Sequence, residues 1–134
     1  MSDFFDKLWG QVPEPAPQPD PELNVMQPAN VPEIGPMDLQ TRLASDAPPL
    51  LIDVREPYEW EDGGIPGAMQ MPMNTVPDRL AELPYDREIV IYCEMGQRSW
   101  AVAEFLLRNG FDHVTNLDGG MVAWRMLKWR EQRK

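Results

Sequence analysis

The sequence predicts an α/β fold in which a parallel sheet is covered by helices on both faces. Residues 50–54 and 88–92 are short, strongly apolar runs, as in strands that are buried on both sides. Apolar residues at helical spacing follow the second run, and alternation of buried strands with helices is typical of α/β layers. The chain of 134 residues is long enough for one such domain with a sizeable core.

The first part of the chain differs in composition from the rest. Residues 1–36 hold eight of the fifteen prolines and six acidic residues against one base. We therefore predict a short amphipathic segment and a Pro-rich, acidic linker in residues 1–30, and a globular domain in residues 31–134. Residues 1–9 are interpreted either as a docking peptide for a protein partner or as a segment that folds back or stays frayed. The second interpretation is the more common one for a chain terminus.

Within the predicted domain, strands and helices alternate along the chain. Proline favours helix starts at Pro36 and Pro57, and the pair Asn109-Gly110 is a helix stop signal. The predicted strands are around residue 34 and at residues 50–54, 68–71, 88–92 and 113–117; the predicted helices are at residues 36–43, 76–83 and 100–110, near residue 57 and after residue 120.

The single cysteine, Cys93, lies where a buried strand ends and a helix begins. In open α/β sheets this edge is where ligands bind. A tight loop that leads into a helix directs backbone N–H groups at one point, and the helix dipole adds positive charge there. Gly96 suits such a loop because it tolerates positive φ. We therefore predict that Cys93 loses its proton readily and acts as a nucleophile.

Three sequence motifs resemble those of the rhodanese-like (sulfurtransferase) family. The loop from Cys93 to Ser99 follows the family pattern Cys-x-x-Gly-x-Arg-Ser. The run Asp-Val-Arg-Glu at residues 53–56 is similar to a second hallmark, and residues 117–124 are similar to a third, Leu-x-Gly-Gly-x-x-Ala-Trp. Gly64 departs from the family pattern, which has histidine at that place. The resemblance covers roughly residues 33–129.

The resemblance implies a rhodanese-like three-layer fold, with a five-stranded parallel sheet and helices on both faces. It implies transfer of a sulfane sulfur from thiosulfate or a persulfide donor to cyanide or a thiol, through a persulfide on Cys93. The implied partners are a small sulfur donor and acceptor or a sulfur-carrier protein, and no metal or organic cofactor is implied. The implied catalytic residue is Cys93, and the active-site loop consists of Glu94, Met95, Gly96, Gln97, Arg98 and Ser99.

Two other charged residues and the only histidine are further candidates. Asp53 and Arg55 are expected near the cysteine loop, where they either modulate the thiolate or form a structural ion pair with each other or with Glu56. His113 starts a predicted strand, whereas Cys93 follows the end of one. In a parallel sheet these are opposite edges, so a Cys–His dyad is not expected.

Charge in the loop leads to an expectation about the sulfur donor. Glu94 adjoins Cys93, and a neighbouring carboxylate disfavours a thiolate. Arg98 is expected to be the only base beside the nucleophile, where it adds a fixed charge or braces the loop. Because the net charge of the chain is −10, we expect weak binding of a small dianion such as thiosulfate.

Composition excludes several other classes of protein. A net charge of −10 argues against nucleic-acid binding. One cysteine and one histidine cannot supply a Cys/His zinc site, and no apolar run is long enough to span a membrane. A reducing compartment, most simply the cytoplasm, is predicted.

Two rival functions remain: a non-catalytic rhodanese-like module that binds or regulates a partner, and a Cys-based phosphatase or arsenate reductase, which the short loop disfavours.

Overall fold

The computed structural model describes residues 30–133, which contain a five-stranded parallel sheet with helices on both faces. The strands are β1 (Glu33–Ile34), β2 (Leu50–Asp53), β3 (Met69–Gln70), β4 (Ile89–Tyr92) and β5 (Val114–Leu117), and the α-helices are α1 (Pro36–Leu43), α2 (Gln97–Arg108) and α3 (Gly120–Gln132). The sheet order is β1-β5-β4-β2-β3, and each neighbouring pair is parallel. The predicted α/β fold is confirmed.

The central strand β4 is buried along its whole length and divides the interior into two hydrophobic cores. Successive side chains of a strand point to opposite faces. Ile89 and Ile91 therefore face the core under α2, whereas Val90 and Tyr92 face the core under α1 and α3. The carboxyl ends of β2 and β4 lie side by side because Asp53 pairs with Tyr92. This edge carries both loops that contain the predicted functional residues.

Two segments predicted as short helices are 3₁₀ helices. The first, Pro57–Asp62, begins at the predicted proline, and the second, Met73–Glu82, begins earlier than the predicted helix at residues 76–83. Pro77 lies inside the second helix and has no N–H to donate, so a continuous α-helical ladder cannot form there. The helix predicted at residues 100–110 also begins earlier, at Gln97, directly after the cysteine loop.

The N-terminal predictions lie outside the described residues. This applies to the amphipathic segment at residues 1–9 and to nearly all of the linker, so the proposed domain boundary after residue 30 stays a prediction. Among residues 30–133, no helix is long and apolar enough to cross a membrane.

Gly120 allows α3 to approach the backbone that follows β4. Its φ is +54°, and a Cβ at this position would lie 2.5 Å from the carbonyl oxygen of Cys93 and 2.7 Å from that of Glu94. This approach lets the N–H groups of Met121 and Val122 donate to the same two oxygens, at 2.9 and 3.0 Å. The first turn of α3 therefore holds the start of the cysteine loop in place.

We expect Gly120→Ala to destabilise the fold, because the added methyl group would collide with two carbonyl oxygens at a positive φ. The free energy of unfolding, measured by urea denaturation, should fall by about 3 kcal/mol or more. Gly67→Ala is the matched control, because Gly67 has a φ of +86° but nothing within 4 Å of the added Cβ. Its loss should be about 1 kcal/mol. Equal losses in the two variants would contradict a steric role for Gly120.

Candidate active site

Cys93 follows β4 directly and is buried, with 1% of its surface exposed. Its Sγ accepts hydrogen bonds from the N–H of Gly96 at 3.1 Å and from the N–H of Ser99 at 3.4 Å. The Ser99 hydroxyl donates to the same sulfur at 3.3 Å. The loop and the first turn of α2 thus place several hydrogen-bond donors around one sulfur atom.

Burial and hydrogen bonding act in opposite directions on the pKa of Cys93. Burial raises this pKa, because a thiolate is poorly solvated inside a protein. The Ser99 hydroxyl and the N–H groups of Ser99, Gly96 and Met95 lower it. These donors outweigh burial, and the pKa lies below that of an ordinary cysteine. The arrangement therefore favours the nucleophilic thiolate.

Gly96 gives the loop its shape. This residue is the N-cap of α2 and has a φ of +110°, a conformation that glycine adopts at little cost. The first N–H groups of a helix have no partner within the helix. The turn at Gly96 brings one of them, the N–H of Ser99, to within hydrogen-bond distance of Cys93.

Arg98 braces the cysteine loop against the first 3₁₀ helix. Its guanidinium donates two hydrogen bonds to Glu59, at 2.7 and 2.9 Å, and the side chains are 35% and 17% exposed. These bonds lower the pKa of Glu59 to about 2, and they raise the pKa of Arg98. Glu59 also accepts the N–H of Glu56 in a capping box at the start of its helix. These contacts fit the bracing role expected for Arg98, and its charge also interacts with Cys93, which raises the pKa of Arg98 further.

Asp53 and Arg55 form a buried ion pair with each other, which is one of the two alternatives that the sequence left open. Their side chains are 1% and 0% exposed, and Arg55 Nη2 lies 2.8 Å from Asp53 Oδ2. Arg55 also donates to Asp62 at 2.9 Å and to Glu94 at 3.2 Å. Because Arg55 donates a hydrogen bond to Glu94, it helps to hold the cysteine loop in position.

Glu94 is paired with two guanidinium groups from outside the cysteine loop, within which Arg98 is the only base. Arg55 and Arg125 both donate to the Glu94 carboxylate. Arg125 also pairs with Asp62, so that two arginines and three carboxylates, Asp53 included, form one cluster. In the sequence, Arg125 begins a basic segment of the kind common at helix C-termini. Its pairing with Glu94 and Asp62 becomes visible only in the packing of α3.

The absence of a histidine at position 64 has a packing explanation. A Cβ on Gly64 would lie 2.9 Å from the hydroxyl oxygen of Tyr92 and 3.1 Å from Nη2 of Arg55. The Tyr92 hydroxyl accepts the N–H of Ile65 at 3.0 Å. The phenol thus fills the space that a side chain at position 64 would need.

The remaining candidate residues lie at the periphery of the site. Met95 and Gln97 are exposed on the loop, and Met95 contributes its backbone N–H to Cys93. The carbonyl of His113 accepts the N–H of Ile89, at the opposite end of β4 from Cys93. No group of three or more His, Cys, Asp or Glu side chains within residues 30–133 is arranged to hold a metal ion.

The fold and the cysteine loop define an α/β protein whose candidate site is a single thiol of lowered pKa at the carboxyl edge of a parallel sheet. The sequence model of the rhodanese-like domain family matches residues 36–127 of this chain. The chain therefore belongs to the rhodanese-like family. A sulfurtransferase of Allochromatium vinosum is 45% identical over 92 residues, which cover 69% of this chain and 86% of the relative.

Two further comparisons agree with this assignment. The thiosulfate sulfurtransferase GlpE of Stutzerimonas stutzeri is 30% identical over 86 residues, covering 64% of this chain and 79% of the relative. The crystal structure of a rhodanese-like domain protein from Staphylococcus aureus is 37% identical, with a TM-score of 0.67, and covers 70% of this chain and 91% of that one. The comparisons support a rhodanese-type sulfurtransferase role.

The bond between Arg98 and Glu59 should make stability depend on pH in the acidic range. Because the folded pKa of Glu59 is lowered from 4.5 to about 2, its stabilising effect is complete above pH 4.5 and disappears as pH falls towards 2. Arg98→Gln should therefore lower the melting temperature at pH 6 and have little effect near pH 2. Thermal unfolding across this range measures the difference.

Arg79→Gln is the control for that experiment. It removes an ion pair with Glu82 of similar geometry on the exposed surface, which should contribute less than the partly buried pair. The same loss of melting temperature in both variants at pH 6 would argue against a bracing role for Arg98.

Proposed function

We propose that the protein transfers a sulfane sulfur through a covalent persulfide on Cys93. The observation that supports this proposal most directly is the convergence of donors from Gly96 and Ser99 on the buried sulfur of Cys93. Such a site holds a thiolate in a place from which bulk water is largely excluded. The sulfurtransferase role of the relatives agrees with this chemistry.

The reaction has two steps that balance without an oxidant or reductant. The Cys93 thiolate attacks the outer sulfur of the donor, the S–S bond of the donor breaks, and the remainder leaves with the bonding electron pair. For thiosulfate the leaving group is sulfite. In the second step cyanide or a thiolate attacks the outer sulfur of the persulfide, and Cys93 leaves as a thiolate. The enzyme thus returns to its starting state.

The residues around Cys93 have defined roles in this scheme. The donors from Met95, Gly96 and Ser99 stabilise negative charge on the attacking sulfur and again on the sulfur that leaves in the second step. No general base is required, because the lowered pKa already favours the thiolate. Two-step covalent transfer of this kind gives ping-pong kinetics.

The donor is proposed to be thiosulfate or a persulfide, carried by a small molecule or by a sulfur-carrier protein. Thiosulfate is the first donor to test, because one relative is named a thiosulfate sulfurtransferase. Pairing of Glu94 with Arg55 and Arg125 weakens the argument that Glu94 repels an anionic donor. We further propose that the reaction takes place in the reducing cytoplasm, where the thiol of Cys93 is maintained.

We expect the wild-type protein to gain one sulfur atom when it is incubated with thiosulfate, and to lose it when cyanide is added. Intact-protein mass spectrometry measures both changes. Because Cys93 is the only cysteine, Cys93→Ser should show neither change while keeping its melting temperature. Equal loading of the two proteins would contradict the persulfide mechanism. A folded wild type that takes up no sulfur from thiosulfate or from glutathione persulfide would favour a non-catalytic binding module instead.

A further inference from the structure

Asn116 is a buried polar residue outside the three sequence motifs, and it contacts the cysteine loop. It lies on β5 and is 1% exposed. Its Nδ2 donates to the carbonyl oxygen of Gly96 at 3.2 Å and to Oε2 of Glu33 at 3.4 Å. Its Oδ1 is buried and has no hydrogen-bond partner.

The orientation of this amide follows from its two acceptors. A flipped amide would place Oδ1 against the carbonyl of Gly96 and the carboxylate of Glu33, neither of which can donate a hydrogen bond. The observed orientation instead leaves one buried acceptor unpaired, which lowers stability. Asn116 is thus held as a donor to the loop, with one buried acceptor left unpaired.

The carbonyl of Gly96 competes with Cys93 for the hydroxyl of Ser99. The hydroxyl oxygen of Ser99 lies 3.3 Å from Sγ of Cys93 and 3.3 Å from the oxygen of Gly96, and it has one proton to donate. The oxygen of Gly96 also accepts the N–H of Trp100 at 3.1 Å. With the amide of Asn116 as a second donor, both lone pairs of that oxygen are used. The Ser99 proton is then directed to the sulfur.

We propose that Asn116 is a positioning residue for sulfur transfer, which occupies the carbonyl of Gly96 so that the hydroxyl of Ser99 donates to the sulfur of Cys93. This inference rests on the proposed function, because it concerns the thiolate that starts the transfer. Asn116 acts through Ser99 and does not itself contact the sulfur. The other charged groups around the loop belong to separate ion pairs, Arg98 with Glu59 and Glu94 with Arg55 and Arg125.

The test compares Asn116→Leu, Ser99→Ala and the double variant. The readout is the rate of alkylation of Cys93 by iodoacetamide as a function of pH, which reports the thiolate of the only cysteine. Loss of one hydrogen bond to a thiolate should slow alkylation about tenfold at a pH below the pKa of Cys93. Each single variant should show this loss and a pH profile shifted to higher pH. The double variant should be no slower than Ser99→Ala, because both changes remove the same bond.

Two controls separate positioning from general destabilisation. Thr115→Val alters the neighbouring residue of β5, whose side chain points to the opposite face, and should leave the alkylation profile unchanged. Thermal unfolding should show that Asn116→Leu remains folded, since the loss of two donated hydrogen bonds is offset in part by removal of the unpaired acceptor. Asn116→Ala is the second variant if leucine does not fit. An unchanged pH profile in the folded Asn116 variants, or additive losses in the double variant, would overturn the proposal. Absence of sulfur uptake in the wild type with normal alkylation would instead refute the proposed function alone.

Discussion

The chemistry of the site depends on the hydrogen bonds that converge on the sulfur of Cys93. Burial alone would keep this thiol protonated, and the donors of the loop and of the first turn of α2 reverse that effect. Such donors are effective only if the backbone is held in one conformation. The parallel sheet meets this requirement, because β4 is buried along its length and delivers Cys93 to a fixed point at its carboxyl edge.

The loop is further held by contacts from three other parts of the domain, and these contacts pair its charged side chains. The first turn of α3 binds the carbonyls at the start of the loop, Glu59 holds Arg98, and Arg55 with Arg125 holds Glu94. Each charged side chain of the loop is therefore paired with a partner on another element. The ion pairs hold the loop in place, whereas the hydrogen bonds to the sulfur come from neutral N–H and hydroxyl groups.

The sequence was sufficient to predict the fold and the location of Cys93, because buried strands and glycine turns leave local patterns. It was not sufficient to identify Asn116 or Arg125. Their contacts depend on which turn of a helix, or which face of a strand, packs against the loop, and no local pattern records that. The conflicting interpretations of Arg55 had the same origin, since its acceptors Asp62 and Glu94 come from different loops. The two 3₁₀ helices were predicted as short helices without their type, because proline spacing marks a helix start but not its hydrogen-bond pattern.

The depth of Cys93 limits the shape of the molecules that can react with it. With 1% of its surface exposed, Cys93 offers little contact area to a broad, rigid protein surface. A donor of the kind proposed above would therefore have to present its sulfur at the tip of a slender group, either as a small molecule or at the end of an extended segment of a larger one. For the same reason, a disulfide between two folded copies of the chain is disfavoured, because Cys93 is buried within its own loop.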